Sequence, residues 1–158
     1  MPSEIEPTKF IQDSDSSSSE NWFIYPVRVH PHHTDYAGIV WHGAYVAWME
    51  EARVECLRSF GVDYADWVVM GCDLPVVELS IRYHRSLRMG MVAIIKARMQ
   101  PMQGARIFWD YEIQSPDEQE LYVTAQVTLV PLDRETGKVM RRLPPAVKDV
   151  LARIASVE

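Results

Sequence analysis

The sequence predicts an α+β fold in which one long amphipathic helix covers a face of a five-stranded antiparallel sheet. Three observations support this: one long segment with helical spacing of apolar residues, five segments of alternating apolar and polar residues, and short connections between the later segments. The predicted order is one strand, the long helix, four strands and a short C-terminal helix. A half-apolar sheet and an amphipathic helix each need a partner surface, so they are expected to pack together.

The first strand is predicted from Trp22 to His30, where Tyr25, Val27 and Val29 alternate with polar residues. Pro26 cannot donate a ladder hydrogen bond. We therefore expect either that this strand lies near an edge of the sheet or that Pro26 stands at the strand start.

The long helix is predicted over residues 43–60 and ends before Gly61, a typical stop residue. Helical spacing places its apolar residues on one face. These are Tyr45, Trp48, Met49, Ala52 and Cys56. A shorter helix is predicted over residues 64–70.

Four strands follow, each with apolar residues at every second position. Those positions begin at Val77, Ala93, Ile107 and Leu121 and run to Tyr83, Met99, Ile113 and Leu129. Their short connections predict antiparallel hairpins or a meander. Pro144 and Pro145 then open a short helix with Val147, Val150, Leu151 and Ile154 as its apolar stripe. The apolar faces of these strands, Ile107, Trp109, Tyr111 and Ile113 among them, exceed what one helix can cover, so self-association is expected.

The composition predicts one soluble globular domain over residues 21–158, since 47% of the 158 residues are hydrophobic and 24% charged. Residues 1–20 are rich in Ser, Asp and Glu, which predicts a disordered tail rather than a secretory signal. No apolar run approaches the roughly 18 residues that span a bilayer, so no membrane contact is predicted. Two cysteines, Cys56 and Cys72, form no disulfide framework, and a cytoplasmic location is predicted.

The net charge of −6 argues against a nucleic-acid partner, because such proteins usually present a basic face. Basic residues nevertheless cluster within residues 82–88, 96–106 and 134–142. A local pocket for an anionic small molecule therefore remains open.

The segment TDYAGIVWHGAYVAWMEEAR, from Thr34 to Arg53, resembles the signature of hotdog-fold acyl-CoA thioesterases of the 4-hydroxybenzoyl-CoA thioesterase type. That signature has an Asp, a small residue and Gly, two apolar residues, an aromatic residue, and an Asn-Tyr-like helix opening. Ala44 stands where the family usually carries Asn, and the later RRLPPAV resembles its Arg-x-Leu-Pro segment. The resemblance implies a sheet wrapped around the helix, and homodimers or homotetramers with active sites at the dimer interface.

By this resemblance, Asp35 matches the catalytic carboxylate, which attacks the thioester carbonyl or activates water. His42 matches the position whose backbone N–H polarises the thioester oxygen, and Gly38 allows the tight turn between them. The chemistry agrees, because hydrolysis needs a base or nucleophile and hydrogen-bond donors at the carbonyl oxygen. The first N–H groups of a helix are unpaired and lie at the positive end of its dipole. The competing interpretation of Asp35 is a helix cap or turn residue, and a side-chain role for His42 stays open.

Substrate contacts are predicted less directly. Trp41 and Tyr45 are candidates for the wall of an acyl pocket, although Tyr45 also fits the core. Glu50 is a candidate either for substrate contact or for pairing with Arg53. Five arginines are candidate contacts for the phosphates of CoA, with an ordinary surface position as the alternative. They are Arg82, Arg85, Arg106, Arg141 and Arg142.

No metal or other cofactor is predicted, CoA being part of the substrate. His30, His32 and His33 have a spacing that can bind zinc or iron, but alternation in a strand would point His32 and His33 to opposite faces. Two other functions remain open: a non-catalytic module that binds acyl-CoA or acyl carrier protein, and a hotdog dehydratase or hydratase. The carboxylate of Asp35 argues against a binding module, and the Asp–Gly–helix motif is unusual for a dehydratase or hydratase. Aromatic and aliphatic acyl groups fit the sequence equally well.

Overall fold

The computed structural model describes residues 21–155 and has the predicted α+β architecture. Its elements are β1 (Phe23–Arg28), α1 (His42–Ser59), α2 (Tyr64–Val69), β2 (Cys72–Asp73), β3 (Val76–Tyr83), β4 (Val92–Met99), β5 (Ile107–Gln114), β6 (Leu121–Leu129), β7 (Leu132–Asp133) and α3 (Pro145–Ala155). A single 3-10 turn, Pro31–His33, lies between β1 and α1. The five-stranded antiparallel sheet, the long helix and the short C-terminal helix are confirmed. The predicted Ser-rich tail, residues 1–20, lies outside the described residues.

The strand order in the main sheet is β1-β4-β5-β6-β3. The strands β4, β5 and β6 form the predicted meander, but β3 does not join it. Instead β3 pairs with β6, with Leu79 opposite Val127. The connection from β3 to β4 therefore crosses from one side of the sheet to the other. Alternation along a strand identifies its two faces, and says nothing about which distant strand supplies its hydrogen-bond partners.

The core lies between α1 and the sheet. The predicted apolar face of α1 is buried, and so are all four inward residues of β5, Ile107, Trp109, Tyr111 and Ile113. These β5 residues are therefore covered within one subunit and leave no apolar face exposed for self-association, although α1 is not their only cover. Additional cover comes from α3, which contacts β4 and buries Val147, Leu151 and Ile154.

Exposed apolar residues lie instead on β3, the last strand of the sheet. Val76, Val77, Leu79 and Tyr83 are each between 40% and 54% exposed. Within the described residues no strand pairs with the outer edge of β3. An edge strand with unpaired N–H and C=O groups and exposed apolar side chains can pair with a strand of another chain. The physical basis for self-association therefore moves from β5 to β3.

The shorter elements differ most from the sequence prediction. The first strand ends at Arg28 rather than His30, and Pro26 lies on the edge strand as expected. The two-residue strands β2 and β7, which pair with each other, were not predicted because two residues carry no periodicity. No helix between residues 21 and 155 is long and apolar enough to cross a membrane.

Candidate active site

Asp35 begins a tight turn between β1 and α1. Its backbone N–H donates to the carbonyl of Ile39 at 2.8 Å, and its own carbonyl accepts the N–H of Gly38 at 3.0 Å. Gly38 has a φ of 75°, in the left-handed region that glycine adopts without strain. The sequence DYAG therefore folds back on itself and presents the Asp35 side chain at the surface.

The carboxylate of Asp35 is held by this turn. Oδ1 accepts hydrogen bonds from the backbone N–H groups of Ala37, at 2.8 Å, and Ile39, at 3.3 Å. Oδ2 has no hydrogen-bond partner among residues 21–155, so one oxygen is fixed and the other faces solvent. Asp35 is thus a turn residue and does not cap α1, whose N-cap is Trp41. Being a turn residue leaves its second oxygen available for acid–base chemistry.

The segment between β3 and β4, residues 84–91, anchors both the turn and the helix start. The N–H of Val40 donates to the carbonyl of Leu87 at 2.9 Å, and the N–H of Met89 donates to the carbonyl of Gly38 at 3.1 Å. These bonds place the Asp35 turn and the first residues of α1 side by side.

The N-terminus of α1 offers free donors. The helix begins at His42, and the side chain of Trp41 makes no capping hydrogen bond. The first N–H groups of a helix have no intrahelical acceptor and carry its positive partial charge. The backbone N–H groups of His42 and Gly43 make no hydrogen bond with any of the described residues. They are therefore suited to bind a negatively charged oxygen.

A cleft of about 260 Å³ opens at this helix start. It is lined by Val40, His42, Tyr45, Tyr83, His84, Arg85 and Ser86. The ring of Tyr45 is buried, as its core interpretation predicts, and its hydroxyl accepts the N–H of Leu87 at 3.3 Å. The hydroxyl of Tyr83 donates to the carbonyl of His42 at 2.9 Å. Tyr83, His84 and Ser86 were not predicted, because they reach the helix only through the pairing of β3 with β6.

Trp41 is 47% exposed, and its indole lies directly over Gly43. A Cβ added at Gly43 would come within 2.1 Å of the indole ring, so only glycine allows this arrangement. The exposed ring therefore lies beside the free N–H groups of the helix start.

Glu50 lies on the exposed side of α1 and does not pair with Arg53. The predicted pairing was wrong because Arg53 turns inward, where its Nη1 donates to the buried hydroxyl of Tyr111 at 2.9 Å. Glu50 also lies eight residues, roughly 12 Å, along the helix from His42.

The five candidate arginines divide into two groups. Arg85 lines the cleft and pairs with Glu120, and Arg82 is on β3, three residues earlier in the chain. Arg106, Arg141 and Arg142 lie near the other end of the sheet, where β4 ends and β5 begins. The last two line a cleft of about 690 Å³ with Lys148. Since the eight residues of β4 span roughly 25 Å, these arginines do not join Asp35 within one subunit.

The three histidines lie in and beside the 3-10 turn rather than in a strand. The reason given for separating His32 and His33 was therefore wrong, and their ring centroids are 4.0 Å apart. Burial, followed by the neighbouring His32 and His30, lowers the pKa of His33. Even so, residues 21–155 contain no group of three His, Cys, Asp or Glu side chains arranged to hold a metal ion.

Comparison with known proteins identifies the family. Residues 29–154 match the model of the thioesterase-like superfamily. The chain belongs to this superfamily. The match includes the Asp35 turn, α1 and the whole region between them, and the predictions of a hotdog fold and a thioester hydrolase are confirmed.

Three similar proteins illustrate the superfamily. A Synechocystis protein provisionally named an esterase, sll0410, is 54% identical over 136 residues, covering 86% of this chain and 82% of its own. The acyl-CoA thioester hydrolase YbgC of Escherichia coli is 29% identical, covering 79% and 92%. The crystal structure of a DHNA-CoA thioesterase from Staphylococcus aureus is 26% identical, covers 84% and 90%, and has a TM-score of 0.76.

Proposed function

We propose that this thioesterase-superfamily protein hydrolyses the thioester of an acyl- or aroyl-CoA to CoA and the free acid. The observation that carries the proposal is the position of Asp35. Its turn fixes Oδ1 and leaves Oδ2 free, and the same loop leads directly into the unpaired N–H groups at His42 and Gly43. A base and a pair of donors are therefore available on adjoining segments of the chain, and these are the two kinds of group that thioester hydrolysis requires.

In the general-base route, the Asp35 carboxylate takes a proton from water as the water oxygen bonds to the carbonyl carbon. The carbonyl oxygen becomes negative and accepts hydrogen bonds from the N–H groups of the helix start. The C–S bond then breaks, the thiolate of CoA leaves, and it receives the proton held by Asp35. In the nucleophilic route, Asp35 attacks the carbonyl carbon, and the C–S bond breaks as the thiolate of CoA leaves. Water then hydrolyses the mixed anhydride to the free acid and restores the Asp35 carboxylate. Both routes use the same residues.

The substrate class is supported by the names of the relatives and by the cleft. YbgC is named an acyl-CoA thioester hydrolase, and the Staphylococcus aureus structure a DHNA-CoA thioesterase. Trp41 and Tyr45 would lie against the acyl group, and Gly38 would shape the turn beneath it. Arg82 and Arg85 would meet the anionic part of CoA from the same subunit.

The working unit is proposed to be a homodimer or homotetramer in the cytoplasm. Two β3 edges paired with each other would cover the exposed apolar residues of that strand. Such pairing also allows Arg106 and Arg141 of a second subunit to approach a CoA bound near Asp35, which they cannot do within one subunit. Glu50 would contact substrate only in that shared site.

The experiment is a panel of aromatic and aliphatic acyl-CoAs assayed for free thiol with a thiol reagent. Thiol release is the expected result, with the preferred acyl group identified by its kcat/KM. Retained activity after prolonged EDTA treatment is expected for a site without metal. A binding module would bind acyl-CoA without releasing thiol, and a dehydratase or hydratase would alter the acyl chain with the thioester intact. Either outcome would contradict the proposal.

A further inference from the structure

Tyr83 connects the exposed edge of the sheet to the start of α1. It is the last residue of β3, and its hydroxyl oxygen lies 2.9 Å from the carbonyl oxygen of His42, to which it donates. The two residues are 41 positions apart in the chain, so only the tertiary fold brings them together.

The bonded carbonyl belongs to the peptide unit whose N–H is that of Gly43. A donor on a peptide oxygen fixes the plane of that peptide, and it also polarises the N–H at the other end of the unit. The preceding peptide is fixed within the helix, since the carbonyl of Trp41 accepts the N–H of Ala44 at 3.0 Å. Both peptide planes at the helix start are therefore held by the helix, since the carbonyl of His42 also faces the N–H of Val46 in the helical pattern, and the His42–Gly43 plane has the Tyr83 hydroxyl as a second anchor.

The ring of Tyr83 is held in place as well. It makes an edge contact with the ring of Tyr45, with centroids 5.4 Å apart. Tyr45 is itself anchored by the N–H of Leu87. A phenylalanine at position 83 keeps this ring contact and removes only the hydroxyl.

We propose that Tyr83 is a positioning residue for thioester hydrolysis. Its hydroxyl holds the His42–Gly43 peptide so that the Gly43 N–H, together with the His42 N–H, faces the oxygen that becomes negative. This inference rests on the proposed function. It adds a residue from the edge strand whose hydroxyl acts through the backbone of α1.

The test compares Tyr83→Phe with Tyr64→Phe. Tyr64 is a matched control, because both side chains are 45% exposed and the Tyr64 hydroxyl makes no hydrogen bond within residues 21–155. For Tyr83→Phe we expect kcat to fall roughly tenfold, the scale of one lost hydrogen bond, with KM changed by less than about twofold. Tyr64→Phe should match the wild type in both constants.

A second measurement separates positioning from general damage. A thioether analogue of the preferred acyl-CoA has no carbonyl oxygen, so its Kd should be the same for Tyr83→Phe and the wild type. Circular dichroism and light scattering verify that both variants keep their fold and assembly.

Three results would overturn the inference. They are a kcat of Tyr83→Phe within about twofold of the wild type, a weaker Kd for the thioether that accounts for the whole loss, and an equal loss in Tyr64→Phe. Failure of the wild-type protein to release thiol from any acyl-CoA is a distinct result, since it overturns the proposed function itself.

Discussion

The Oδ1 atom of Asp35 accepts the backbone N–H of Ala37 at 2.8 Å, which fixes the carboxylate against its own turn. An asparagine can keep this bond through its amide oxygen, because only the second carboxylate oxygen is replaced by NH₂. The substitution Asp35→Asn therefore separates the structural role of the side chain from its chemical one.

We expect Asp35→Asn to lower kcat by on the order of 10²–10⁴-fold, the range for losing a positioned acid–base group. Asp133→Asn is a matched control, because Oδ1 of Asp133 also accepts two turn N–H groups, from Glu135 and Thr136, each at 2.9 Å. That variant should keep wild-type turnover. Near-normal turnover in a folded Asp35→Asn protein would remove Asp35 from the mechanism.

The exposed edge of β3 predicts that Val77→Lys breaks the assembly. Val77 is 54% exposed on this edge, and a lysine there opposes pairing of two strands. Light scattering should give two or four chain masses for the wild type and one for Val77→Lys, with activity lost in the monomer. Val139→Lys, at a site 49% exposed and outside β3, should behave as the wild type. A fully active wild-type monomer would contradict the shared site.

The hydrogen bond from Arg53 to Tyr111 predicts a stability cost for Tyr111→Phe. Removing the hydroxyl leaves a partly buried guanidinium without this acceptor, which should lower the free energy of unfolding by about 1–3 kcal/mol. Tyr122→Phe is the control, since Tyr122 is also buried and its hydroxyl has no partner in the described part of the chain. Urea denaturation measures both. Equal effects would show that the Arg53 bond contributes nothing.

The lowered pKa of His33 predicts a loss of stability in mild acid. Its Nδ1 accepts the backbone N–H of His30 at 2.9 Å, and a protonated ring cannot accept this bond. The unfolded chain takes up the proton more readily than the folded protein. The contribution of His33 to stability is therefore fully present above the ordinary pKa of about 6.5, and it is lost as the pH falls below that value. The free energy of unfolding should fall less between pH 7.5 and pH 5.5 in His33→Asn. An identical fall in both proteins would exclude His33 as its source.

Much of the fold was predictable because it depends on local periodicity. The helix predicted over residues 43–60 is His42–Ser59, and its buried face is the one that helical spacing indicates. The strands beginning near Val77, Ala93, Ile107 and Leu121 lie within one or two residues of the observed ones. The Asp35 turn was also visible, since DYAG places a glycine where the chain must reverse.

Only the tertiary structure decided how these pieces meet. No local pattern encodes that β3 pairs with β6, and this pairing brings Tyr83 to the carbonyl of His42 and leaves Val77 exposed at the edge. No helical spacing distinguishes an Arg53 that pairs with Glu50 from one that reaches Tyr111 in the core. Sequence by itself determined which residues form each helix and strand and where the carboxylate lies, because those depend on neighbours a few positions apart. Strand partners and side-chain partners depend on residues tens of positions away, whose contacts form only when the whole core packs.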